Sequence, residues 1–204
     1  MSKKYRIGEE VVKLFGQTVS GGKISIQEGM LYASQAANKY IRDLIFSNKK
    51  LGVETPPYSV LSDYEVEVLK DTVKNKFYAP LPVRALETLL NNMGVFQVTS
   101  CDEGELFVPL NKGFIGMFRG LDSYGLEGML GYIPERDKLW MYGEDFEEGF
   151  KVNITLIPDC TSLEADEQIP LPTDAEYDVI LMALQLAQVQ MQTPQNLETD
   201  NTQK

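Results

Sequence analysis

The sequence predicts an α+β protein: N- and C-terminal helices packed together, with an antiparallel β-rich unit inserted between them. Three observations lead there. A long stretch with a 3.6-residue apolar period lies near the N-terminus. A second, with its own capping signal, lies near the C-terminus. Between them the pattern changes to short period-two runs punctuated by Gly, Pro and Asp. The division that follows assigns residues 1–50 and 170–192 to a helical part and 51–169 to a β-rich part. The polar composition of 193–204 predicts a disordered tail.

Residues 8–15 are expected to form a short first helix, ended by the Gly21-Gly22 break. Ser25 with Glu28 three residues later is a capping box, in which side chain and backbone satisfy two helix N-terminal donors reciprocally. Ile26, Met30, Ala33, Ala37, Tyr40 and Leu44 then recur at steps of three and four, so a helix runs to about Ser47. Gly52, Pro56 and Pro57 mark a loop. Residues 65–69 alternate as a half-buried strand does, and 76–82 follow in the same style. Residues 84–92 suit a helical turn or a bend, 94–99 a strand, and 105–110 another after the turn at Asp102. The runs 129–133 and 138–142 flank a polar turn and read as a hairpin, and 150–157 is the last strand. An acidic loop at 159–168 leads through Pro170 and Pro172 to Thr173, an N-cap with Glu176 three residues on. Asp174, Glu176 and Asp178 then oppose the helix macrodipole, and Thr193-Pro194 ends the helix.

Composition narrows the function classes. With 30 acidic and 19 basic residues the net charge is −11, which argues against a surface that grips nucleic acid by displacing counterions. Histidine is absent, which removes the commonest general base and metal ligand. The two cysteines, Cys101 and Cys160, could pair, but reduced thiols are the better reading. No apolar run is long enough for a membrane span, and no apolar segment follows the basic N-terminus as a secretory signal requires.

Catalytic motifs fail one by one. The segment from Gly16 to Ser25 resembles a phosphate-binding loop, but its first glycine is one position early and Ile24 stands where Ser or Thr would hold magnesium. Glu144-Asp145 and Glu147-Glu148 are surface-type acid pairs, and the acidic loop lacks the ligand spacing of a calcium hand. No Gly-x-Ser-x-Gly elbow occurs. The sequence therefore predicts no enzyme, no cofactor and no metal.

Two segments hold more interest. Between Asn111 and Gly131 six glycines alternate with large apolar residues. This is either a bent strand with bulges or a loop whose Phe114, Met117 and Phe118 bury against a neighbouring subunit. From Pro158 onward there are nine carboxylates and one basic residue, and Asp159, Glu164, Asp166 and Glu167 form either a solvated loop or an acidic surface that repels DNA.

The order of short strings then matters. YEVEV (64–68), Asp71, YAPLP (78–82), NMGVFQV (92–98) and LFVPL (106–110) precede a strand, an acidic loop, IPLP (169–172) and a helix with a polar tail. This succession resembles the head–tail junction proteins of tailed phages, in particular the ring-forming adaptor subunits of crAss-like phages, which are similar in plan to tail tubular protein A. The resemblance covers roughly 25–192 and rests on order rather than on any single motif. It implies a virion structural protein made in the host cytoplasm, a ring (typically a dodecamer) of identical copies between portal and tail or nozzle proteins. DNA passes through such a ring without specific binding. The terminal segments of such subunits make a helical part and the β-rich part is inserted between them. No catalytic residues carry over. A small monomeric or dimeric adaptor, or a virion-associated hydrolase, stays open as an alternative.

Overall fold

Three helices and two sheets make up the described part of the chain, residues 3–18, 23–53, 55–87, 94–102, 104–110, 130–143, 146 and 149–192 of a computed structural model. They fall into two compact units, Met1–Thr55 with Leu163–Lys204, and Pro56–Ser162. The fold is α+β, with terminal helices in one unit and a β-rich insertion as the other. The chain re-enters the helical unit at Leu163, earlier than residue 170, because part of the acidic loop belongs to the helices.

In the helical unit α1 spans Lys4–Thr18, α2 Ile26–Lys50 and α3 Glu176–Gln192. The first helix is longer than the expected 8–15. Ile7, Gly8, Val11 and Phe15 form its buried stripe at helical spacing. Its start is satisfied from far away in sequence. The backbone N–H of Lys4 donates to the Glu167 carbonyl at 2.9 Å, and that of Tyr5 to the Ala165 carbonyl at 2.9 Å. The almost wholly buried Lys4 ammonium donates to the Leu163 carbonyl at 2.7 Å.

α2 opens as expected. The Ser25 backbone donates to the Glu28 carboxylate at 2.7 Å, while the Glu28 backbone donates to the Ser25 hydroxyl at 3.2 Å. Gly29, Ala33, Ala36, Ala37 and Ile41 are buried along one side, and Ser34 and Asn38 on another. These small residues let two helices approach. A Cβ on Gly29 would lie 2.7 Å from the Gly8 carbonyl oxygen, so α1 and α2 cross backbone to backbone there. On α3, Val179, Ile180, Ala183, Leu184 and Ala187 are buried. The Tyr32 hydroxyl donates to the Gln190 side-chain oxygen at 2.7 Å, tying the start of α2 to the end of α3. α3 opens later than a Thr173 cap would place it, because the Ala175 carbonyl takes the first intrahelical bond, from Val179.

In the β-rich unit β1 (Ser62–Glu67), β8 (Lys151–Leu156) and β4 (Val95–Ser100) form an antiparallel sheet in the order β1-β8-β4. The second sheet has the order β2-β3-β7-β6-β5, from β2 (Leu69–Asp71), β3 (Lys76–Pro80), β7 (Lys138–Tyr142), β6 (Gly131–Glu135) and β5 (Val108–Pro109). The expected hairpin is β6–β7. One pair departs from the antiparallel expectation: β5 runs parallel to β6. Residues too far apart for a tight turn are joined there, so no hairpin rule applies. The 3-10 turn Tyr58–Val60 and the strand β2 were not legible in the alternation pattern.

The unit's core lies on Val98, Val152, Ile154 and Leu156 of the first sheet, and on Ala79, Leu139 and Met141 of the second. Phe146 joins Phe77, Phe107 and Phe150, with ring centroids 5.6 to 5.9 Å away. Gly94, at φ +67, stands where a Cβ would meet the Leu86 carbonyl oxygen at 2.4 Å. It lets residues 84–86 lie against 157–159 through the bonds Leu86 N to Ile157 O and Asp159 N to Arg84 O. No helix of the described residues is long and apolar enough to cross a membrane. The interface candidates Phe114, Met117 and Phe118, and the polar tail, lie outside the described residues.

Candidate functional site

Strand register assembles a surface from residues far apart in the chain. Tyr78 of β3 pairs with Trp140 of β7, which pairs in turn with Ile133 of β6. Side chains in register share a face, and alternation adds Lys76, Lys138 and Tyr142 to it. Phe77, one residue from Tyr78, points the other way into the Phe146 cluster. This face lies opposite the Phe146 cluster and holds a buried cluster of its own, Leu110, Ile133 and Trp140, with Tyr78 and Tyr142 packed against it.

Lysines cover its aromatic rings. The Lys138 ammonium lies 4.4 Å from the Trp140 ring centroid and 5.2 Å from that of Tyr78. The Lys74 ammonium lies 4.6 Å from the Trp140 centroid, and that of Lys76 lies 5.8 Å from the Tyr142 ring. Cation–π contacts at such distances contribute about 0.5–1 kcal/mol each. Trp140 is only 6% exposed; among the described residues Leu110 and Ile133 pack beside it and the Lys74 and Lys138 ammoniums lie over its ring. Its indole N–H donates to the Glu135 carboxylate. The β2–β3 turn fixes Lys74: Asp71 accepts from the backbone N–H groups of Val73 at 2.9 Å and Lys74 at 3.0 Å. Those bonds, that from Lys74 first, hold the Asp71 carboxyl below the usual carboxylate range, with the Lys138 and Lys74 charges adding.

The first sheet carries the opposite charge. Asp63, Glu65 and Glu67 alternate outward on β1, an edge strand, and all three are exposed. Lys151 on β8 pairs with Glu65 at 2.6 Å, and the Thr155 hydroxyl donates to Asp63. The pairing with Glu65 raises the Lys151 pKa above its ordinary value.

The acidic residues expected to form one surface divide. Asp159 belongs to the β-rich unit, and its carboxylate accepts from the Thr161 backbone and hydroxyl. Glu164, Asp166 and Glu167 belong to the helical unit. The Glu167 carboxylate accepts from the Glu164 backbone, while the carbonyls of Ala165 and Glu167 receive the first donors of α1. Part of this acidic loop is thus a helix cap. Glu164 and Asp166 remain exposed.

Groups with shifted protonation fit structural roles. The backbone of Ser25 holds Glu28 below its ordinary range, and burial pushes the Tyr132 phenol up to about 12. The two thiols are not joined in a disulfide, and Cys160 is buried. Cys101 is exposed, yet desolvation first, then Glu65 and Asp102, raises its thiol, opposite to what activates a nucleophile. A shallow depression of about 670 Å³ beside α1 is lined by Tyr5, Arg6, Glu9 and Lys13 among others, with Arg6 near Glu10 at 3.8 Å. Among the described residues no group of three His, Cys, Asp or Glu could hold a metal ion.

The sequence reading missed the lysine–aromatic face. Its signal was the alternation Lys138, Trp140, Tyr142 and the run Lys70, Lys74, Lys76, visible only once register joins them. The sequence pattern puts Tyr177, Ile180, Leu181, Leu184 and Ala187 along one side of α3; Ile180, Leu184 and Ala187 are buried, whereas Tyr177 and Leu181 are exposed, as is Val189. No protein-family model matches the chain, and no curated protein matches it by sequence.

Proposed function

We propose that the chain is a non-enzymatic head–tail connector subunit of a tailed phage, assembling as a ring through which DNA passes between the portal and the tail or nozzle proteins. The observation that carries this reading is architectural. The helical unit is made from both ends of the chain, with the β-rich unit inserted between α2 and α3, the plan that the resemblance implies. A helix apolar on both sides, with Tyr177, Leu181 and Val189 outward, suits a protein that works against neighbours. The net charge of −11 suits a ring that DNA must slide through, because like charges repel and no counterion-release gain holds the duplex. Glu164 and Asp166 are the acidic-loop carboxylates best placed to add to that field, since both are exposed.

Antibody-gold labelling of virions, read by electron microscopy, tests the assignment. Label at the single portal vertex between head and tail is the expected result. A protein absent from virions, or labelling elsewhere on the particle, sinks the assignment.

A further inference from the structure

Resting on the ring reading, we infer that the lysine–aromatic face of the second sheet is one half of the contact between adjacent copies, and that the β1 stripe of the next copy is the other half. Lys74, Lys76 and Lys138 stand on one face of a chain whose net charge is −11, so a basic patch here runs against the overall bias. Asp63, Glu65 and Glu67 form an exposed row on an edge strand of the other sheet. Among the described residues the Lys151 ammonium lies against the row, on Glu65. Among the described residues Lys151 and Thr155 bond to the acidic row, whereas the rings of Tyr78, Trp140 and Tyr142 and the Asp71 charge lie against the lysines.

Two different, complementary patches on one chain make a heterologous contact, the kind that closes into a ring or runs on as a filament. The geometry favours a folded acidic partner over a duplex. The Lys138 and Lys74 ammoniums are held over the Trp140 ring, which fixes their positions before binding, while Trp140 itself is too covered to stack on a base. Asp71 and Glu135 lie among the lysines and dilute the field that phosphates would require. A row of three carboxylates matches that mixed pattern better than a continuous polyanion does.

Zero-length carbodiimide cross-linking of a mixture of isotopically labelled and unlabelled full-length protein, at low ionic strength, reads the contact directly. Mixed-isotope links from Lys74, Lys76 or Lys138 to Asp63, Glu65 or Glu67 are expected, and they should fade as salt is added. Absence of such links overturns the contact, as do links confined to single copies. Charge reversal gives an independent arm that leaves the Lys151–Glu65 pair intact. Lys74→Glu with Lys76→Glu should weaken self-association at least about tenfold by sedimentation, as should Asp63→Lys with Glu67→Lys, and mixing the two variants should restore it. Thermal melts matching the parent show that each variant folds. Unchanged association in either folded variant, or duplex DNA that binds this face and blocks the cross-links, assigns the lysines elsewhere. Links between copies without virion label would sink the connector reading alone, and virion label without links would sink this contact alone.

Discussion

Trp140 shows how a single residue can be placed on a lysine-bearing sheet face and still be almost dry. It is the sole tryptophan, it is 6% exposed, and among the described residues Leu110 and Ile133 pack with it while the ammoniums of Lys74 and Lys138 lie over its ring. A lysine covers a ring when its methylene stem lies on apolar surface and its ammonium meets the ring's negative face. Lys138 lies 4.4 Å from the Trp140 centroid and also reaches Tyr78, at 5.2 Å. Lys138→Ala should therefore let water reach the indole. The expected result is a red-shifted emission maximum in the folded protein and a stability loss of about 1 kcal/mol. Unchanged emission would mean that the ring is shielded without Lys138. Lys74→Ala, made in parallel, should shift the emission in the same direction, because Lys74 lies over the same ring at 4.6 Å.

At the scale of elements, helix propensity and helix packing make opposite demands on the glycines of the helical unit. Replacing Gly by Ala inside a helix contributes about 0.8–1 kcal/mol when the site is open. Gly16 on α1 has nothing within 4 Å of a built Cβ, so Gly16→Ala should raise stability by about that much. Gly29 is different: its Cβ would stand 2.7 Å from the Gly8 carbonyl oxygen and 2.7 Å from a Val12 methyl. Backbone cannot yield there without moving α1, so Gly29→Ala should lower stability by about 1–3 kcal/mol despite the better propensity. Urea denaturation of the two variants checks the difference in sign, and two stabilising results would remove the close crossing.

The α2 cap adds a pH dependence. Hydrogen bonds from Ser25 depress the folded pKa of Glu28 below its unfolded value. Its stabilising contribution is then present above the unfolded pKa and lost as pH falls through the folded one. Relative to Glu28→Gln, the parent should be more stable near neutrality, and the gap should close on acidification through the carboxylate range. A gap independent of pH would show that the charge plays no part. This cap was legible because its signal is local, Ser and Glu three residues apart. The start of α1 was not, because its first donors are satisfied by carbonyls at Ala165 and Glu167. The lysine face escaped for the same reason: Tyr78 and Trp140 meet only through strand pairing, and the parallel β5–β6 pair has no turn to announce it. Alternation in one run fixes a face of a strand, but it does not say which strand lies alongside.

At the scale of the molecule, each unit has a core of its own: Val11, Phe15 and Ile41 in the helices, Val98, Ile154 and Leu156 in the sheets. Separate cores permit separate opening, with a free energy proper to each unit. Gly94 offers a way to perturb one of them. At φ +67 an alanine is strained, and its Cβ would stand 2.4 Å from the Leu86 carbonyl oxygen, where only backbone could move. The usual gain of Gly→Ala, about 0.4–1 kcal/mol from a stiffer unfolded chain, is outweighed at such a site. Gly94→Ala should destabilise the β-rich unit by about 2 kcal/mol or more. The readout is amide hydrogen exchange resolved by segment. Amides of β4 and β8 should exchange at least about tenfold faster, corresponding to about 1.4 kcal/mol. Those in the middle of α2 should keep the parent's protection. Equal acceleration in α2 and β8 would mean that the chain unfolds as one cooperative body and that the insertion does not carry its own stability. The outcome bears on assembly as well, because β1 and the lysine face both belong to the unit that Gly94 supports. A variant with loosened β4 and β8 but intact helices should therefore lose the cross-links between copies while keeping its helical circular dichroism.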